Sequence, residues 1–270
     1  MDIPGLDHPD SRPANHLVVS RRLNRGLVVL TCVLLATSWL GAQTGDLALT
    51  ASTGISSRYV HRGVVRSATA WQAALDGSIK GWRGRFWSSN PFDSAEPGEL
   101  QSSLGYVWSA SKSVSVEMSG THFWYVDQPI KGATAHSFEA NVKAIWTSES
   151  GWRWGIDCGY DIRLRSRVVE GSVAYDLPLK TWGTYLEGRV RAGHLAARDL
   201  LPDTVLPGVR DAYTYFEADM RLPYRFISTG VVVALDVQFA TTRNQNRYWS
   251  PLLKGSGNRG WIGLSASMDL

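Results

Sequence analysis

The residues able to do chemistry are few, and their spacing is unhelpful to an enzyme. Downstream of an apolar N-terminal run the histidines are His61, His122, His136 and His194. A barrel or sheet hydrolase needs a nucleophile within reach of a base that a third group orients. Thr121-His122-Phe123-Trp124 has no Ser two residues beyond the His, so no such triad assembles along that strand. Cys158 is the one thiol outside the N-terminal run, so neither a disulfide framework nor a thiolate metal site follows from it. Metal-ligand spacings and a phosphate-cradling Gly loop are both missing, so the sequence implies no catalytic residue, no metal and no cofactor. Basic residues are dispersed and form no Lys/Arg run, which argues against nucleic acid as a partner.

The polar chemistry lies instead in rows of charge that alternate with apolar residues. The basic members are Arg58, Lys80, Lys143, Arg153, Arg163, Arg189, Arg191 and Arg221. The acidic members are Asp76, Glu117, Glu139, Asp157, Asp161, Glu170, Asp176, Glu187, Glu217, Asp219 and Asp236. Two readings of these rows stay open. They line a hydrated pore that sorts small polar or ionic solutes, or they pair across strands and fill the interior. Acids outnumber bases, which favours cations, unless Arg153, Arg163, Arg189 and Arg191 gather at one constriction and draw anions.

The elements that carry these rows are strands. In Trp152 to Leu164 the odd partners Arg153, Gly155, Asp157, Gly159, Asp161 and Arg163 oppose Trp152, Trp154, Ile156, Cys158, Tyr160, Ile162 and Leu164. Period-two alternation marks a strand whose two faces meet different solvents. Twelve such segments are readable: 47–60, 69–82, 84–90, 98–109, 113–126, 136–147, 151–165, 167–177, 181–196, 212–223, 227–241 and 259–270. Most match the ~9–11 residues of a tilted bilayer-spanning strand rather than the ~5–6 of a soluble domain. Connections alternate between short turns, such as Ala110-Ser111-Lys112, and longer stretches: HRGVVRS, PFDSAEPG, DQPIKGATA, RDLLPDTVLPGVRD and TRNQNRYWSPLLKGSGN. Only the connection near 166 breaks that rule.

An Arg on the lipid face near the midplane costs ~2–4 kcal/mol, so the apolar rows face lipid and the charged rows face in. Of the 12 tryptophans, Trp82, Trp108, Trp146, Trp152 and Trp182 fall beside short turns, and Trp71, Trp124 and Trp261 at loop ends. That is a two-girdle pattern at headgroup level. The expected fold is therefore all-β: a transmembrane antiparallel up-and-down β-barrel of about twelve strands with periplasmic termini. Outer-membrane lipids and, during biogenesis, the barrel-assembly machinery are the partners this implies, with small polar solutes as cargo.

The chain divides into a Pro-containing extension over 1–20, a signal peptide over 21–42 and the barrel over 43–270. Arg21, Arg22 and Arg25 precede the apolar run Leu27–Leu40, and Gly41-Ala42 supplies small residues for cleavage after Ala42. Such a run is shorter than the ~20 residues of an ordinary membrane-spanning helix. Export to the outer membrane follows.

One stretch also carries a resemblance. Ser56-x-x-Tyr59-x-x-Arg62-Gly63, an alternating strand, then Gly84-x-x-Trp87-x-Ser89-Asn90, resembles the start of the TorF-type (Gcw-chp) family of outer-membrane porins. The likeness covers about residues 50–92 and implies an outer-membrane pore, with no substrate and no binding residues to carry over.

Overall fold

The computed structural model describes residues 47–93, 96, 98–126, 135–197, 211–243 and 258–270. The predicted extension and signal peptide lie outside them. Twelve barrel strands are joined in chain order: β1 (Ala48–Ser56), β4 (Ala70–Ile79), β5 (Trp82–Pro91), β6 (Gly98–Ser109), β7 (Val114–Val126) and β8 (His136–Thr147) form one half. The other half is β9 (Arg153–Asp161), β10 (Ser166–Leu179), β11 (Thr184–Ala197), β12 (Asp211–Arg225), β13 (Val232–Arg243) and β14 (Arg259–Asp269). Each strand pairs antiparallel with its neighbour, and β1 closes the barrel against β14, from Thr50 opposite Asp269 to Ser56 opposite Gly263. Closure removes the edge that an open sheet would expose in lipid. Both β1's start and the C-terminal Leu270, whose N–H donates to Leu49 O at 2.9 Å, sit at the short-turn end.

Turn chemistry pins the register. Ile79 pairs with Trp82, which leaves Lys80-Gly81 as a two-residue loop with φ of 48° and 89°. Positive φ at both positions gives the turn whose twist matches a right-twisted hairpin. Strands expected over 69–82 and 84–90 put that turn at Arg83 instead. The true turn sends Lys80 to the rim and puts Arg83 on the inward row.

The faces separate as the alternation requires. Phe86, Leu104, Met118, Ile156, Ile262 and Leu264 point outward, each more than half exposed. In water so much bare apolar surface would drive aggregation; around a closed barrel it is the surface that hydrocarbon covers. Trp82, Trp108, Trp146, Trp152 and Trp182 form an outward rim at the short-turn end, joined there by Trp154. Trp124 marks the other end. Trp261 does not belong to that girdle: it pairs with Gln238 and is buried inside the barrel. Its row mates, Gly263 and Ser265, face in, whereas Ile262 and Leu264 face out.

The largest departure lies between β1 and β4. Residues 47–60 were expected as one strand and HRGVVRS as an outer loop. The barrel strand instead stops at Ser56, and the chain folds back as a hairpin of β2 (Tyr59–His61) and β3 (Val64–Ser67). The tip is Arg62-Gly63, with φ of 51° and 73°, again a two-residue turn. Val64 is 1% exposed and Val65 5%. Val64 reaches that burial against apolar side chains on the inside of the barrel wall.

Candidate pore and its constriction

The hairpin crosses the interior at the loop end and is fastened to the far wall. The Arg62 guanidinium donates to both Glu139 oxygens on β8, each at 2.6 Å. This is a bidentate pair whose side chains are only 15% and 6% exposed. The Gly63 N–H donates to Glu217 Oε1 on β12 at 2.6 Å, and Glu217 Oε2 lies 2.7 Å from Arg191 Nη2 on β11. A Cβ on Gly63 would stand 2.6 Å from Thr242 Cγ2 and 2.8 Å from Tyr215 Cβ, so only glycine fits at the tip. Behind it Val64 packs with Val168, Leu195, Ala197, Tyr213 and Tyr215 of β10 to β12. Tyr215 Oη donates to Glu170 at 2.6 Å.

The hairpin's base is held on the near wall. The Tyr59 ring lies 4.9 Å from the Trp87 ring on β5, and its hydroxyl donates to Glu99 Oε1 at 3.2 Å. Gln101 Nε2 donates to the same oxygen at 2.6 Å. Arg66 stands over the Tyr125 ring at 5.8 Å. The residues that carry the family resemblance, Tyr59, Arg62-Gly63 and Trp87 to Asn90, are thus the hairpin and part of its seat. Burial, reinforced by the Arg62, Arg66 and Arg191 charges, holds the His61 imidazole well below its usual value. For Arg62, burial opposes the charge, but the Glu139 hydrogen bonds and charge more than offset it and raise its pKa.

Among the pore-lining candidates, the structure turns Asp76, Glu117, Glu139, Lys143, Arg153, Asp157, Asp161, Glu187, Arg189, Arg191, Glu217, Asp219, Arg221 and Asp236 to the barrel interior. Most of the cations meet an acid on a neighbouring strand. Arg153 grips Asp176 at 2.6 and 2.8 Å and reaches Glu187 at 3.6 Å. Arg189 lies 3.1 Å from Asp219, and Arg221 3.9 Å from Asp236. Lys143 stands opposite Asp157, and Glu139 opposite Asp161, whose carboxylate accepts from Ser137 Oγ and the Leu164 N–H. Three candidates stand outside the barrel strands: Arg58, which donates to Gly260 O at 3.4 Å, Lys80 in its turn, and Arg163 between β9 and β10.

Arg83 and Arg85 were missed, and they pair with Glu117 and Asp76 at 3.6 Å each. The Lys-Gly dipeptide before Trp82 was the signal that would have found them. These four charges, with Thr50, Ser78, Ser103, Ser119 and Thr121, line a cavity of about 390 Å³ in the short-turn half of the barrel. Among the described residues the histidines outside the hairpin, His122, His136 and His194, sit on the outward rows at the loop end. His122 and His136 are stacked, with Nε2 and Nδ1 3.2 Å apart, and His194 meets Thr214. Among the described residues no group of three His, Cys, Asp or Glu side chains could hold a metal ion.

No protein-family model matches the chain, and no curated protein matches it in sequence. Solved structures do. LpxR from Salmonella typhimurium aligns at a TM-score of 0.51 with 6% identity, over 81% of this chain and 99% of that one. The NanC porin aligns at 0.48 with 13% identity over 82% and 98%. The KdgM porin, solved in complex with disordered oligogalacturonate, aligns at 0.49 with 4% identity over 83% and 99%. At 6% identity the LpxR alignment shows the fold alone, a closed antiparallel β-barrel.

Proposed function

We propose that this protein is an outer-membrane channel for passive diffusion of small polar or ionic solutes, narrowed at its outer end by the β2–β3 hairpin. The observation that carries this reading is an interior of charged pairs and hydroxyls around a cavity of about 390 Å³, enclosed by twelve strands. Twelve strands fall between the roughly eight whose interiors side chains fill and the roughly sixteen of open porins. Export by the 21–42 signal, insertion by the assembly machinery and membership of the TorF-type family belong to the same proposal, as does a non-enzymatic role. Because interior cations are matched by acids, transport relies on size and hydrogen bonding more than on net charge. Purified protein in planar bilayers gives discrete conductance steps on this account.

A second reading has its own observation. The bidentate Arg62–Glu139 pair and the buried Val64 resemble a plug, which suits a closed barrel acting as a structural or surface-interaction protein through its outer loops. A correctly folded barrel that never conducts supports it over the channel.

A further inference from the structure

A second interior cavity, of about 180 Å³, lies between the hairpin's first strand and the wall formed by β13, β14, β1, β4 and β5. Gly54 and Gly263 leave its floor hollow, while Trp87 and Trp261 both line it. Tyr59 leans on Trp87 from the hairpin side. Gln72 and Gln238 reach it from β4 and β13, and among the described residues neither carboxamide has a hydrogen-bond partner. Asp236 and Arg58 also line it: Arg58 donates to Gly260 O at 3.4 Å, and Ser265 Oγ at 3.4 Å and Arg221 at 3.9 Å hold Asp236 only loosely, so its oxygens keep accepting capacity.

This combination selects among ligand classes. A purely apolar guest would leave two amides and a carboxylate without partners, each at a desolvation cost. A small ion would find Asp236 and Arg58, charges of opposite sign, at the same cavity. Indole rings offer flat apolar faces, two amides offer a donor and an acceptor each, and a carboxylate accepts from adjacent hydroxyls. A solute with an apolar ring face and a polar rim satisfies all of them. The volume has room for one such ring.

We infer that this cavity is a subsite for a neutral, ring-shaped polyhydroxylated solute, one pyranose unit in size. How the solute arrives rests on the channel reading; the binding chemistry does not. The test is saturation-transfer NMR on the folded barrel in detergent micelles, titrated with glucose and, separately, with the open-chain polyol sorbitol. Glucose receives saturation and sorbitol binds at least about tenfold more weakly, because it has no ring face to stack. Gln72→Leu and Gln238→Leu keep volume close and remove the hydrogen bonds, and each weakens glucose by about tenfold. Trp124→Ala, on the outer surface, leaves it unchanged. Failure of wild type to bind glucose, equal binding of glucose and sorbitol, or indifference to both Gln variants overturns the inference. Because binding is read at equilibrium, a barrel that binds but never conducts removes the channel and keeps the subsite. One that conducts without binding does the reverse.

Discussion

Replacing Arg62 with Ala is the perturbation that the geometry prices most clearly. The change leaves Glu139, 4% exposed, as a buried carboxylate without its guanidinium partner. Removing one member of a buried pair costs ~3–5 kcal/mol, most of it the penalty on the charge left behind. The twelve-stranded ladder does not depend on this pair, so the cost falls on hairpin docking rather than on the barrel. At about 1.4 kcal/mol per decade, the docked-to-released ratio drops by a factor of about 10² to 4 × 10³. Hydrogen exchange of the amides from Tyr59 to Ser67 reports that ratio directly, and far-ultraviolet circular dichroism confirms the intact barrel. Gly63→Val attacks the same docking sterically, since its Cβ would sit 2.6 Å from Thr242 Cγ2 on a backbone at φ 73°. Glu139→Gln combined with Arg62→Ala removes the stranded charge and recovers part of the loss. Unchanged exchange at the hairpin in Arg62→Ala and Gly63→Val refutes the claim that these tip contacts hold it in the lumen.

His61 is held neutral by burial among Arg62, Arg66 and Arg191, with the Phe123 ring 6.1 Å away. Its docked-state pKa lies below the free value of about 6.5, so docking is unaffected above that pH and weakens as pH falls beneath it, by up to ~1.4 kcal/mol per unit. The protection factors of the hairpin amides, with the intrinsic exchange rate at each pH divided out, therefore fall between about pH 6.5 and 5 in wild type, and His61→Gln flattens that dependence. Arg189→Glu with Arg191→Glu places new carboxylates beside Asp219 and Glu217 and shifts the reversal potential toward cations; an unchanged potential removes both positions from the ion path. Ile156→Arg, on the lipid face, costs ~2–4 kcal/mol in vesicle refolding titrations.

The barrel was legible in the sequence because its two faces meet opposite solvents, so every strand repeats the same period-two signal. In β9 the row Trp154, Ile156, Cys158 and Tyr160 and its partner row could be assigned without any knowledge of neighbours. Trp261 was misplaced: its nearness to a rim suggested a girdle, whereas the alternation with Ile262 and Leu264 outward requires it to face in. The hairpin was not legible. His61, Arg62, Gly63 and Arg66 have the composition of a solvated loop, and what buries them are acids far along the chain. Glu139 is 77 residues from Arg62, and Glu217 is 154 from Gly63. No local pattern encodes such a meeting; it appears only when the barrel closes and brings β8 and β12 to face the β1–β4 connection. The turn before β5 failed for a smaller reason, since a shift of the loop by two residues exchanges which of Lys80 and Arg83 reaches the interior.

On the channel reading the β2–β3 hairpin narrows a conducting lumen. The decisive comparison is the single-channel conductance of wild type beside a variant with residues 58–68 replaced by a short Gly-Ser linker. Discrete steps in both, larger in the linker variant, are the predicted result. Folded barrels that conduct identically, or that do not conduct in either form, contradict it.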